Sequence, residues 1–216
     1  MLTRSLGHDN VNDRISTTCP TSEGEDVKIA SIWNPKGGQG KTTMTINLAA
    51  AASKLGLITL VVSRDVQDDD MSVFGQGDFP FTIVKSLPSE KPNADLVLID
   101  YPAGYREKPD SHVVVCPVVP CRLDYAAYIK ARHILDGCDV IEICNRGDMR
   151  RKDERDFILL MRKDGASVVR NRAVFINAHN QSKTIFDSDF AKTTRIGESR
   201  AEIEGVLARV LNQKVI

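Results

Sequence analysis

An apolar run, Val27-Lys28-Ile29-Ala30-Ser31-Ile32-Trp33, stops at Asn34-Pro35 and passes at once into Lys36-Gly37-Gly38-Gln39-Gly40-Lys41-Thr42-Thr43. No other segment constrains the fold as much. A short apolar run that ends at glycine and proline reads as a buried strand entering a tight loop. The residues after it, Met44, Ile46, Leu48, Ala49, Ala52 and Leu55, recur with helical spacing, so Thr42 to Leu55 is predicted to be a helix closed by Gly56. Ile58-Thr59-Leu60-Val61-Val62 then reads as a second strand. Strand, glycine loop, helix and strand make a βαβ unit, which predicts a parallel sheet with right-handed crossovers.

The loop has a chemical meaning. Backbone N–H groups converging at a helix N-terminus hold phosphate, and the helix dipole adds partial positive charge there. Side chains would block that approach, so Gly37, Gly38 and Gly40 are the expected cradle, with Gln39 between them. Lys41 sets a point charge near the β- and γ-phosphates, and the Thr42 hydroxyl, followed by Thr43, is placed for Mg²⁺.

Further buried strands are predicted at Leu96–Ile99, Val113–Cys116 and Val140–Cys144, the last interrupted by Glu142. Phe81–Val84 is a candidate strand, and Ala173–Ile176 is expected to close the series. Helical stretches are read at Tyr125–Leu135, Lys152–Asp164 and Ala201–Leu211. The expected fold is α/β: a mostly parallel, twisted central sheet with helices on both faces. Residues 1–26 are rich in Ser, Thr, Asn, Asp and Gly without apolar period and read as a flexible extension; 27–216 read as a single domain.

The lysine at position 36 departs from the ordinary phosphate-loop pattern, in which glycine stands six residues before the final lysine; here that place is Pro35. Lys36-Gly-Gly-x-Gly-Lys-Thr-Thr resembles the deviant Walker motif of the ParA/MinD family of P-loop ATPases, and the resemblance runs from about Ile29 to the C-terminus. It implies ATP and Mg²⁺ as cofactors and an ATP-dependent homodimer in which Lys36 reaches the partner's nucleotide. Asp95-Leu96-Val97-Leu98-Ile99-Asp100, followed by Tyr101-Pro102-Ala103-Gly104, looks like the family's Walker B strand, with Asp100 in the metal shell. Cys116-Pro117-Val118-Val119-Pro120 and Leu123-Asp124 are also similar. Val61-Val62-Ser63-Arg64-Asp65-Val66-Gln67 aligns with an Asp-x-Asp-x-Gln segment whose second aspartate orients the attacking water. Asp65 matches that residue, while Ser63 stands where the first aspartate is expected. Asp68, Asp69 and Asp70 either compensate or form a solvated acidic loop. Asn145 matches an adenine-reading asparagine of relatives, or caps a loop.

Formal net charge is zero, but its distribution is uneven. Thirteen Lys or Arg face eight Asp or Glu between Asn145 and Arg200, against five and ten between Val61 and Asp110. The resemblance implies non-specific DNA binding by that basic half. Arg150, Arg151, Arg170, Arg172, Lys183, Lys192 and Arg195 are the candidates, and a mixed solvated surface is the alternative. The family further implies a centromere-binding, ParB-like partner and plasmid or chromosome partition. Another positioned cargo or a membrane-bound regulator are the competing roles.

No run of 18 apolar residues occurs, so no stable membrane insertion is expected, and residues 1–26 lack a signal-peptide core. The expected location is cytoplasmic and nucleoid-associated. The last helix mixes Glu202 and Glu204 with Arg209, which favours core packing over a membrane anchor. Five cysteines without C-x-x-C spacing read as reduced, mostly buried thiols. Cys116 and Cys121 lack the glycine-rich surroundings of an iron–sulfur reductase.

Overall fold

Strands whose residues are apolar on both faces must be covered on both faces, and that requirement organises the whole chain. The structure, a computed structural model, describes residues 27–64 and 77–213. Among the described residues seven strands form one sheet: β1 (Lys28–Ile32), β2 (Thr59–Ser63), β3 (Thr82–Val84), β4 (Leu96–Asp100), β5 (Val113–Val118), β6 (Asp139–Gly147) and β7 (Ser167–Arg170). Their order is β3-β2-β4-β1-β5-β6-β7 and every pairing is parallel. The candidate strand at 81–84 is therefore the edge strand β3.

On one face, Ile32, Val61, Leu98, Val115 and Ile143 pack against α1 (Lys41–Lys54) and α5 (Ile196–Asn212). The run Ala49 to Ala52 lets α1 lie close to the sheet, and Gly56, at φ +84°, closes that helix as expected. Helix α5 buries Ile203, Val206, Leu207 and Val210, the core-packing role read from its pattern. On the other face, Val62, Ile99, Val114 and Cys144 meet α2 (Arg122–Ala131) and α3 (Lys152–Lys163) through Tyr128, Ile158 and Met161. Glu142, the polar break in β6, lies here, and its carboxylate accepts the Tyr128 hydroxyl at 2.7 Å. A half-buried carboxylate with a donor, and with Arg132 3.7 Å away, is tolerated where a bare one would be costly.

One expectation is overturned. Ala173–Ile176 is not a strand: it opens the short helix α4 (Ala173–His179), and the last strand is β7, six residues earlier. Val174 and Ala178, four apart, turn inward, while Ile176 is 58% exposed. A β-branched run has no fixed preference of its own; packing decides. Ser167 to Arg170 take the remaining edge beside β6. The helix expected at Tyr125–Leu135 is present but begins earlier, at Arg122, and its last turn, Arg132–Leu135, is tightened to a 3-10 helix.

Cys116 and Cys144 are buried, Cys138 is half-buried and Cys121 is exposed. Burial, with a smaller contribution from the Glu154 carboxylate, pushes the Cys144 thiol up to about 12, and burial raises Cys116 further. Both buried cysteines are packing residues, not nucleophiles.

Candidate functional site

Strands β1 and β4 are neighbours in exact register, with Ile32 opposite Asp100, so the loop after β1 and the carboxylate ending β4 arrive at the same edge of the sheet. Between them the chain turns through Gly38 (φ +75°) and Gly40 (φ +84°) into α1, whose first residue is Lys41. At both glycines an L side chain would be strained, and at Gly40 a Cβ would also stand 2.4 Å from the Asn145 amide nitrogen. The glycine requirement read from the sequence thus has a steric cause at position 40.

Side chains of the loop brace it from beneath. Asn34 donates to the Pro117 carbonyl at 2.8 Å and accepts from the Lys36 backbone N–H at 2.9 Å. Gln39 is 2% exposed, and its side-chain oxygen accepts the Val119 N–H at 2.8 Å. The Gln39 side chain is thereby turned inward and ties the loop to the residue that follows β5.

The metal-binding expectation can be tested on the donors present. Asp100 is 1% exposed; its Oδ2 accepts the Thr42 hydroxyl at 2.7 Å, and its Oδ1 lies 3.2 Å from the Thr45 hydroxyl. Ser63 pairs with Asp100 in the β2–β4 register and shares the sheet face of Val61, toward α1. Its hydroxyl is buried and has no hydrogen-bond partner among the described residues. The Asp100 carboxylate and the hydroxyls of Thr42, Thr45 and Ser63 form a hard oxygen set. That suits an ion such as Mg²⁺, which keeps several waters and takes its other ligands from phosphates. Among the described residues no cluster of three or more acidic, His or Cys side chains gathers elsewhere to hold a metal.

A cavity of about 500 Å³ opens over the loop. The phosphate-loop glycines, Lys41, Thr42 and Thr43 form one end; Asn145, Asn171, Phe175 and His179 are among the residues of the rest. The size fits a nucleotide. Asn145, 6% exposed, donates to the Gln39 carbonyl at 2.8 Å, so its amide nitrogen supports the loop itself. Arg146, next along β6, donates to the Gly38 carbonyl at 3.2 Å. Sequence reading passed over Arg146, Thr45 and Asn34; among these, adjacency to Asn145 was the only local signal for Arg146.

Lys36 lies on the exposed side of the loop, with 45% of its side chain accessible, and forms an ion pair with Asp124 at the start of α2. Asp65 and Asp68 to Asp70 lie outside the described residues. Arg64 is the last described residue before them. Its N–H donates to the Asp100 carbonyl at 3.0 Å, its guanidinium stands 5.3 Å from the Tyr101 ring centre, and it pairs with Asp110.

The basic candidates are scattered, and most are paired. Arg172 is 11% exposed and holds Glu202 through two hydrogen bonds, at 2.5 and 2.8 Å, and Glu198 through a third, at 3.1 Å. A guanidinium committed to two carboxylates ties the segment after β7 to α5 and has little charge left for a DNA phosphate. Arg170 is more exposed, beside the same Glu202, and both arginines line the phosphate-loop cavity. The chain distance from residue 40 to residue 170 is thus no measure of their separation. Lys183 pairs with Asp189, and Arg151 with Glu154. Arg150 pairs with Asp148, whose carboxyl it holds down at about 2. Lys192 is exposed, and Arg195, 63% exposed, has only a 4.0 Å contact to Glu198.

A parallel sheet with a phosphate cradle at the carboxyl edge of its central strand, and an acidic strand end beside it, defines a P-loop nucleotide-binding protein. The chain belongs to the CobQ/CobB/MinD/ParA nucleotide-binding domain family, whose sequence profile matches residues 30–214. It is 39% identical over 72 residues to the chromosome partitioning protein ParA of Myxococcus xanthus, covering 32% of this chain and 25% of that protein. It is 32% identical over 115 residues to an uncharacterized protein of Mycobacterium tuberculosis, covering 52% of this chain and 33% of that one. The aligned segments thus span a quarter to a third of these relatives. Among solved structures, a candidate plasmid partition protein of Borrelia burgdorferi bound to AMPPNP superposes with a TM-score of 0.68 at 15% identity, covering 85% of this chain and 99% of that one. The septum site-determining protein MinD of Pyrococcus horikoshii, complexed with Mg-ADP, gives 0.65 at 18%, covering 88% and 100%. The McdA–ATP complex of Cyanothece gives 0.63 at 14%, covering 89% and 99%. At these identities the likeness is one of fold. No helix among the described residues is long and apolar enough to cross a membrane.

Proposed function

We propose that this chain is a partition-type positioning ATPase that binds ATP with Mg²⁺, pairs with a second copy around the nucleotide, and hydrolyses ATP to ADP and phosphate to release its cargo. The observation that carries this reading is the shared edge of β1 and β4. There the phosphate cradle, Thr42 and Asp100 meet, and Lys36 stands on the exposed side of the same loop. Thr42 and Asp100 would hold the ion, which when bound neutralises phosphate charge. Lys41 would hold the β- and γ-phosphates, and Asp65 would orient the attacking water. Lys36 would leave Asp124 and reach the partner's nucleotide. An exposed ion pair of this kind contributes about 0–1 kcal/mol, so its exchange for a phosphate contact is favourable.

Lys36→Ala is therefore expected to bind ADP as the parent does while losing ATP-driven pairing. Light scattering with ATP and with ADP measures this; a parental dimer in the variant removes Lys36 from that role.

The cargo in this reading is nucleoid DNA, bound without sequence preference by the ATP dimer, with a ParB-like partner stimulating hydrolysis in a cytoplasmic, nucleoid-associated cycle. Lys192 and Arg195 are the least neutralised of the basic candidates and would contribute most. Binding should fall with salt, each phosphate contact adding a slope of about −0.9 in log affinity against log salt. Replacing Lys192 and Arg195 together should flatten that slope by roughly two to four units, since the dimer doubles the contacts. A salt titration of fluorescent duplex with both proteins reads it directly. No ATP-dependent binding at low salt would instead favour another positioned cargo, the reading that the pairing of Arg150, Arg151, Arg172 and Lys183 supports.

A further inference from the structure

Residue 146 has a conformation that needs a reason. Strand β6 keeps register with β7 up to Asn145 opposite Val169 and resumes with Gly147 opposite Arg170; Arg146 is the extra residue of a bulge. Its φ is +59°, a region that a non-glycine residue occupies at a cost and that persists only where the surroundings fix it. The bulge lies at the carboxyl end of β6, against the phosphate loop, and bulges re-aim side chains. It sends two successive side chains to two successive loop carbonyls: Asn145 to Gln39 at 2.8 Å and Arg146 to Gly38 at 3.2 Å.

In a trans peptide the carbonyl and the following N–H point in opposite directions. Holding the Gly38 carbonyl toward Arg146 turns the Gln39 N–H the other way, and holding the Gln39 carbonyl toward Asn145 does the same for the Gly40 N–H. Gly38 has φ +75° and open space where a Cβ would stand, so on its side that peptide is free to turn, and only the Gln39 side chain, held by the Val119 N–H, anchors the other side. Gly40 is pressed against Asn145, which fixes the second.

The geometry points to Arg146 as a positioning residue: together with Asn145 it orients the Gly38–Gln39 and Gln39–Gly40 peptides so that their N–H groups face the phosphates before a nucleotide arrives. Preorganised donors lower the cost of ordering the loop on binding. This rests on the phosphate-loop reading of the site, and Lys41→Ala serves to separate the two.

The test is competition binding to the full chain with ADP and with pyrophosphate, which carries phosphates and no base. Arg146→Gly removes the guanidinium and relieves the positive φ. It is expected to keep or raise the melting temperature while weakening ADP and pyrophosphate by the same factor, about tenfold, the scale of one charge-assisted hydrogen bond. Arg146→Lys, which can still donate to the Gly38 carbonyl, should recover most of the loss. Arg146→Asn, also at ease at positive φ, repeats the test if the glycine variant folds poorly. Unchanged pyrophosphate affinity in the variants overturns the proposal, and so does a loss confined to ADP, which would put Arg146 on the base instead. If Lys41→Ala binds ADP like the parent, the phosphate-loop reading itself fails. If Lys41→Ala abolishes binding and Arg146→Gly does not weaken it, only the positioning role is lost.

Discussion

Replacing Lys41 with alanine is expected to abolish measurable ATP and ADP binding while leaving the fold intact. Lys41 is the first residue of α1 and only 8% exposed, held between the phosphate loop and the sheet edge. Its charge is therefore little screened by water at the place where a polyphosphate would sit. Hydrogen bonds to charged groups contribute about 1.5–3 kcal/mol each, so losing contacts to two phosphates amounts to roughly two to four orders of magnitude in affinity. The backbone cradle and the helix dipole survive the substitution, but they act through partial charges. Calorimetric titration with ADP, paired with circular dichroism to confirm folding, measures the effect. Parental affinity in a folded variant would remove the phosphate-loop assignment.

Asp100→Asn is expected to spare nucleotide binding and remove turnover. The side chain keeps its shape, and its remaining carbonyl oxygen can still accept the Thr42 hydroxyl that now lies 2.7 Å from Oδ2. What disappears is the negative charge facing a divalent ion. Ser63, a neutral hydroxyl at the register position opposite, offers no replacement charge. Phosphate release should fall roughly 100-fold or more, the scale of removing one preorganised electrostatic contact, and the Mg²⁺ concentration for half-maximal activity should rise. Phosphate release measured across a Mg²⁺ series checks both. An Mg²⁺ response like the parent's would place the ion away from Asp100.

Both variants act on residues that were legible in the chain as written. Glycine spacing, a lysine and threonine at a helix start, and an aspartate ending an apolar run each report a local requirement: backbone freedom, a point charge, a ligand at a strand end. Such requirements are met by residues close in sequence, so they leave a pattern that can be read. The parallel sheet was legible for the same reason, because strands covered on both faces must be apolar throughout. Helix α4 was misread because a run such as Val174-Phe175-Ile176 suits either state, and only the edge of β6 decided which segment would pair there.

The basic half of the chain shows where sequence stops. Counting charges along it found an excess, but an ion pair depends on distance across space. Glu202 and Glu198 on α5 reach Arg172 from some thirty positions away, and no local pattern marks that meeting. The supports of the phosphate loop are of the same kind. Asn145 and Arg146 stand 106 and 108 positions from the carbonyls they hold. The sequence by itself determined that a glycine-rich loop joins a buried strand to a helix, that an aspartate ends an apolar strand, and that a parallel sheet carries both, because each rests on short-range backbone geometry or on burial. The tertiary structure alone decided what orients the cradle, which arginines are spent on carboxylates, and that a bulge in β6 brings a strained residue to the loop. Those depend on which strand ends become neighbours, and chain separation carries no record of that.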